Sequence, residues 1–124
     1  MLTILGTGAG GGSGMYTLKI LKESTDFRLI ACDASKYSSG YLFGDCHYRL
    51  PYVKNKEIFL QYLIDIIVKE KVDYIFPNVD EELTIFAENN KINSAKVIIS
   101  PLESVRNTID KYKLYQTFSN QIHC

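Results

Sequence analysis

No apolar run in this sequence is long enough to cross a bilayer. The longest, Ile58 to Val68, is broken by Gln61 and Asp65. A net charge is missing as well: fourteen basic and fourteen acidic residues cancel, so no global field draws nucleic acid or anionic lipid. Cysteine is scarce, with three residues (Cys32, Cys46 and Cys124) far apart and no C-x-x-C pair. That excludes a disulfide scaffold and points to a reduced, cytoplasmic chain with free thiols. Cys46-His47 and His123-Cys124 are adjacent pairs without zinc-ligand spacing, so no metal site is read from them. Met1-Leu2-Thr3-Ile4 runs directly into an apolar strand, with no basic n-region or cleavage site before it. Internal repeats and low-complexity linkers are absent too.

What is present is an ordinary globular composition. The chain has 124 residues, 46% hydrophobic and 23% charged, enough for one domain with a real core. It is organised around Leu2 to Leu21. Leu2-Thr3-Ile4-Leu5 reads as a buried parallel strand, six glycines fall between Gly6 and Gly14, and Met15, Leu18 and Leu21 then recur at helical spacing. Strand, glycine loop and helix bring a bare helix N-terminus towards a ligand, with unpaired N–H groups and the helix dipole supplying positive potential. Gly6-Thr7-Gly8-Ala9-Gly10-Gly11 fits G-x-G-x-x-G. The same glycines also serve a tight turn and close helix–sheet packing, so both readings stand.

Further along, Phe27 to Cys32 reads as a second buried strand ending at Asp33. An acid there, about 20 residues past the glycines, suits either a ribose contact or a turn. Residues 34–45 predict a loop with one short helical turn, and Cys46 to Leu50 a short edge strand closed by Pro51. Asn55 to Lys71 predicts a helix with one polar stripe (Glu57, Gln61, Asp65, Lys69) and otherwise apolar, hence largely buried. Val72 to Phe76 is a strand stopped by Pro77, and a short helix opens at Asn78-Val79-Asp80-Glu81-Glu82, where acids in the first turn also suit the dipole. Lys96 to Ile99 is the next strand. Ser100-Pro101-Leu102-Glu103 forms a capping box with proline at N1, and the following helix breaks near Asp110.

Strands alternating with helices predict a doubly wound α/β fold, a Rossmann-like parallel sheet of about four or five strands with helices on both faces. The Asp33 strand would lie on one side of the first strand and the Phe76 strand on the other, a topological switch point where ligands bind. The candidate ligand residues are therefore Gly8, Gly10, Gly11, Gly12, Ser13, Asp33, Asn78, Asp80 and Glu81. No catalytic residue is assigned.

Five segments, ILGTGAGGGSGM, ACDAS with its loop, HYRLPYVKN, IFPNVDEELTIFAEN and VIISPLESVRNTIDKYKLYQTF, resemble in order the N-terminal pre-ATP-grasp domain of ATP-grasp enzymes of the carbamoyl-phosphate-synthase or biotin-carboxylase kind. The resemblance implies residues 1–108 as that domain and 109–124 as the lead-in to an ATP-grasp domain beyond this chain. It implies a small carboxylate or amine substrate, and ATP with magnesium in the intact protein. It implies a C-terminal ATP-grasp domain as partner, and admits a homodimer. Lys111 would reach ATP phosphate. The intact protein would phosphorylate a carboxylate and let an amine attack the acyl phosphate. This piece, without the family's lid and metal ligands, would be inactive alone.

Two other readings stay open. Thr7 to Gly14 also fits T-G-x-x-x-G-x-G, which with Tyr52-x-x-x-Lys56 resembles the NAD(P)-dependent short-chain dehydrogenases, although the tyrosine lies too early in the chain. The same fold also serves non-enzymatic ligand-binding modules.

Overall fold

The computed structural model describes residues 1–24, 26–109 and 111–119. Their elements run β1 (Leu2–Gly6), α1 (Gly12–Glu23), β2 (Phe27–Asp33), β3 (Cys46–Arg49), α2 (Lys56–Glu70), β4 (Tyr74–Phe76), α3 (Asp80–Glu88), β5 (Lys91–Ile92), β6 (Ala95–Val97), α4 (Leu102–Ile109) and α5 (Lys111–Phe118). One six-stranded sheet has the order β3-β2-β1-β4-β6-β5. Leu5 of β1 stands opposite Ile30 of β2 on one side and Ile75 of β4 on the other, both in parallel register. The chain thus winds outward through β2 and β3, returns across β1, and builds the other half from β4. This is the expected doubly wound α/β fold, with the switch point between β1 and β4.

The central strands β1 and β2 are buried on both faces, and the period-two alternation of side chains divides the core in two. Ile4, Leu29 and Ala31 pack with Leu18 of α1. Leu5, Ile30 and Cys32 pack with Phe59, Leu63 and Ile67 of α2 and Phe86 of α3. Phe59 and Phe86 meet edge to face, with centroids 6.0 Å apart. Each such side chain stabilises the fold by about 1.5–3 kcal/mol through burial.

Asn55 caps α2, its side chain accepting from the Ile58 N–H at 3.2 Å, and Lys71 ends the helix in the left-handed region at φ 54°. Within the expected loop, Ser39–Phe43 forms the one short helical turn, of 3-10 type. β3 is the predicted edge strand.

Three expectations need correction. α2 is buried on one face and is less covered than the expected largely buried helix, since Ile58, Tyr62 and Val68 are exposed. The polar stripe marks part of its wet side, and neighbouring apolar residues share that side. The sheet has six strands, because Lys91–Ile92 pairs antiparallel with Ala95–Val97 through a turn in which Asn93 takes φ 51°. A strand of two residues leaves no periodicity to read. Lastly, the Val105 N–H donates to the Pro101 carbonyl at 3.0 Å, so α4 starts at Leu102 with Pro101 just outside it. α4 ends at Ile109 and α5 opens at Lys111. No helix among the described residues is long and apolar enough to cross a membrane.

Candidate functional site

At the carboxyl ends of β1 and β4 the backbone is pinned by Thr7, which is fully buried. Its N–H donates to the Phe76 carbonyl at 3.2 Å, and its hydroxyl accepts from the Asn78 N–H at 3.0 Å. Asn78 in turn accepts from the Ser13 hydroxyl at 3.3 Å, joining the first turn of α1 to the end of β4.

Within the glycine loop, two glycines are required by geometry. Gly8 takes φ +63°, and a Cβ there would meet Val79 Cγ2 at 2.7 Å. A Cβ on Gly14 would come to 2.1 Å from the Gly8 carbonyl oxygen. Gly12 differs: nothing lies within 4 Å of its Cβ position. Gly11 caps α1 without a side chain, which leaves the first N–H groups of that helix free of intrahelical partners.

The loop and the β4–α3 turn border an open, shallow hollow of about 440 Å³ lined by Gly8, Gly11, Ser13, Asp33, Asn78, Val79, Asp80 and Glu81. Seven of the nine residues picked from sequence therefore share one mouth. Gly10 and Gly12 are not in its wall. Gly10 turns instead to the β2 tip, where its N–H donates to Asp33 Oδ2 at 2.5 Å. Asp33 Oδ1 accepts from the Ser35 N–H at 3.2 Å.

A second hollow, about 540 Å³, adjoins the first through Gly8, Asp33, Val79 and Glu81. Ala34, Pro51, Tyr52, Val53, Lys54 and Glu82 complete its wall. Glu82 is only 7% exposed, and its Oε2 has no hydrogen-bond partner among the described residues. Burial pushes its pKa up to about 7; the Thr7 hydroxyl opposes that shift, and Asp33 and Glu81 add to it. Sequence reasoning grouped Glu82 with its acidic neighbours without singling it out, because the pattern does not say which acid of a first turn faces inward. It missed Tyr52 and Val53 as lining. Pro51, two residues past the end of β3, was the available signal that the chain leaves the sheet there.

The hollow at the glycine loop holds Asp33, Asp80 and Glu81, and no basic side chain lines it. That leaves the dinucleotide-binding alternative to rest on the bare N-terminus of α1 alone. Asp33 is moreover engaged with Gly10 rather than free for a ribose. Among the described residues no group of three or more His, Cys, Asp or Glu could hold a metal ion. Lys111 opens α5, but its side chain lies outside the described residues.

Among curated proteins none matches the chain significantly in sequence. Solved structures do match in fold. Glycinamide-RNase-transformylase T from Mycobacterium tuberculosis superposes with a TM-score of 0.68 at 14% identity, over 97% of this chain and 35% of that one. N5-carboxyaminoimidazole synthetase from Staphylococcus aureus, complexed with ADP, gives 0.66 at 15% identity, over 96% and 30%. The biotin carboxylase domain of a thermophilic 2-oxoglutarate carboxylase, bound to bicarbonate, gives 0.62 at 13%, over 95% and 27%. The chain thus spans about a third of the length of these proteins. In sequence, residues 4–100 match the family described as PylC-like, N-terminal domain. The chain belongs to the PylC-like N-terminal domain family, with the pre-ATP-grasp fold that its sequence resembles.

Proposed function

We propose that this chain is the substrate-side domain of an ATP-dependent carboxylate–amine ligase, and that the amine end of the substrate enters the hollow beside Glu82. The observation that carries this reading is the Glu82 carboxyl, buried at the switch point with Oε2 unpartnered. Thr7 serves one side of the carboxyl; the buried Oε2 left without a partner costs free energy, and an ammonium group would supply the missing donor and charge. With its pKa raised to about 7, the group is poised to accept a proton from an amine that must become a nucleophile. Gly8 and Gly11 let a ligand approach the backbone, and Asp33, Asp80 and Glu81 line the same mouth.

The intact protein would carry ATP, magnesium and phosphate chemistry on an ATP-grasp domain that follows this one, and the acyl phosphate would form there. The task of this chain is to bind and orient the amine. Residues 1–108 form the substrate-side domain in this reading and 109–124 lead to the next. Lys111 is proposed, on the resemblance, as a contact to ATP phosphate, for which a long-stemmed point charge suits. A cytoplasmic setting goes with the free thiols of Cys32 and Cys46.

Supplied with an ATP-grasp module, the chain should support ADP formation that requires both amine and carboxylate. The purified chain alone should release no phosphate from ATP. Phosphate release by the chain alone, or micromolar NADH binding followed by fluorescence, would overturn the proposal.

A further inference from the structure

Arg49 closes β3, and its Nε–H donates to the Ala34 carbonyl at 2.9 Å. That bond orients the guanidinium but leaves its terminal NH2 groups uncommitted, since Arg49 enters no ion pair among the described residues. Beside it lies a further hollow of about 430 Å³, walled by Ala34, Arg49, Leu50, Pro51, Tyr52 and Tyr62. Ala34, Pro51 and Tyr52 also line the hollow that contains Glu82, so the two spaces share a wall and adjoin. At one end is a buried carboxyl whose Oε2 lacks a partner; at the other is an exposed, oriented cation outside any ion pair among the described residues. Between them stands Tyr52, an aromatic ring 74% exposed.

We propose that Arg49 is a specificity-determining residue, holding a carboxylate at the far end of the substrate whose amine end lies at Glu82. The substrate class is then a molecule with an ammonium head and a carboxylate tail joined by an apolar stretch that runs past Tyr52. This rests on the amine site at Glu82. A guanidinium offers a planar fork that matches a carboxylate with two parallel bonds, and one already held by Ala34 loses less rotamer freedom on binding. Lys54 also lines the Glu82 hollow and is exposed, as Arg49 is, but among the described residues no hydrogen bond or ion pair orients it. It is the internal competitor for this role.

The test is a proton–nitrogen NMR titration of the chain at pH 8, following backbone amides and the Arg49 Nε–H. The probes are the series from 4-aminobutanoate to 8-aminooctanoate, with hexylamine as head alone and hexanoate as tail alone. At least one amino acid of the series should shift both the Glu82 amide and the Arg49 Nε–H, while hexylamine shifts only the former. Arg49→Gln should weaken that amino acid about tenfold or more, to the level of hexylamine, and leave hexylamine unchanged. Arg49→Lys should fall between, and Lys54→Gln should have little effect. An Arg49 Nε–H that no member of the series moves, or an Arg49→Gln chain that binds the series as before, overturns the inference while hexylamine binding at Glu82 keeps the amine site. Hexylamine that leaves the Glu82 amide unmoved defeats the amine site itself, and the inference with it.

Discussion

Asp33 Oδ2 accepts the Gly10 N–H at 2.5 Å, and through that bond the tip of β2 holds the glycine loop in place. The second oxygen accepts from the Ser35 N–H, so one carboxylate orders both the loop above β1 and the turn above β2. Asp33→Ala removes a charge-assisted acceptor and should cost about 1–2 kcal/mol in urea unfolding. Asp33→Asn keeps one acceptor and should lose less. Equal stability of all three proteins would show that the bond does not hold the loop.

The glycines of the loop should separate sharply. In Gly14→Ala the new methyl group would need the space of the Gly8 carbonyl, and the neighbour is backbone that cannot swing away. We expect a loss of at least about 2 kcal/mol. Gly12→Ala places a methyl group in open space at the first position of α1, so stability should stay within about 1 kcal/mol and tend upward. Thermal melts of the two variants decide this, and equal losses would count against the loop geometry.

Glu82 should make stability depend on pH with the opposite sign to a salt-bridged acid. Its folded pKa, about 7, lies above the ordinary value of 4.5, so the folded chain binds the proton more tightly than the unfolded one. The contribution is full below pH 4.5 and is lost as pH rises through about 7, about 3 kcal/mol across that window. Glu82→Gln should abolish this dependence and be the more stable protein at pH 8. Urea midpoints between pH 5 and pH 8 check it, and parallel curves for the two proteins would contradict it.

Much of this is legible in the sequence. The six glycines, Asp33 and the acidic turn after Pro77 are set by local chemistry, and the βα alternation fixes which strand ends lie side by side. That is how Gly8, Ser13, Asn78 and Glu81 could be placed at one mouth from sequence. The burial of Glu82 was not legible, because Asp80, Glu81 and Glu82 are alike in composition and only the pitch of α3 against Thr7 decides which turns inward. The two-residue β5 and the exposure of Tyr62 on α2 escaped for a related reason. Periodicity reports a face, and packing decides how much of that face is covered.

The central claim is that Glu82 receives an amine, and calorimetric titration of the chain with hexylamine from pH 6 to pH 8 tests it most directly. The alkylammonium stays protonated throughout, while Glu82 ionises through about pH 7. Affinity should therefore rise across the range, and Glu82→Gln should lower it about tenfold or more at pH 8. Binding that ignores pH, or that survives Glu82→Gln undiminished, would contradict the account.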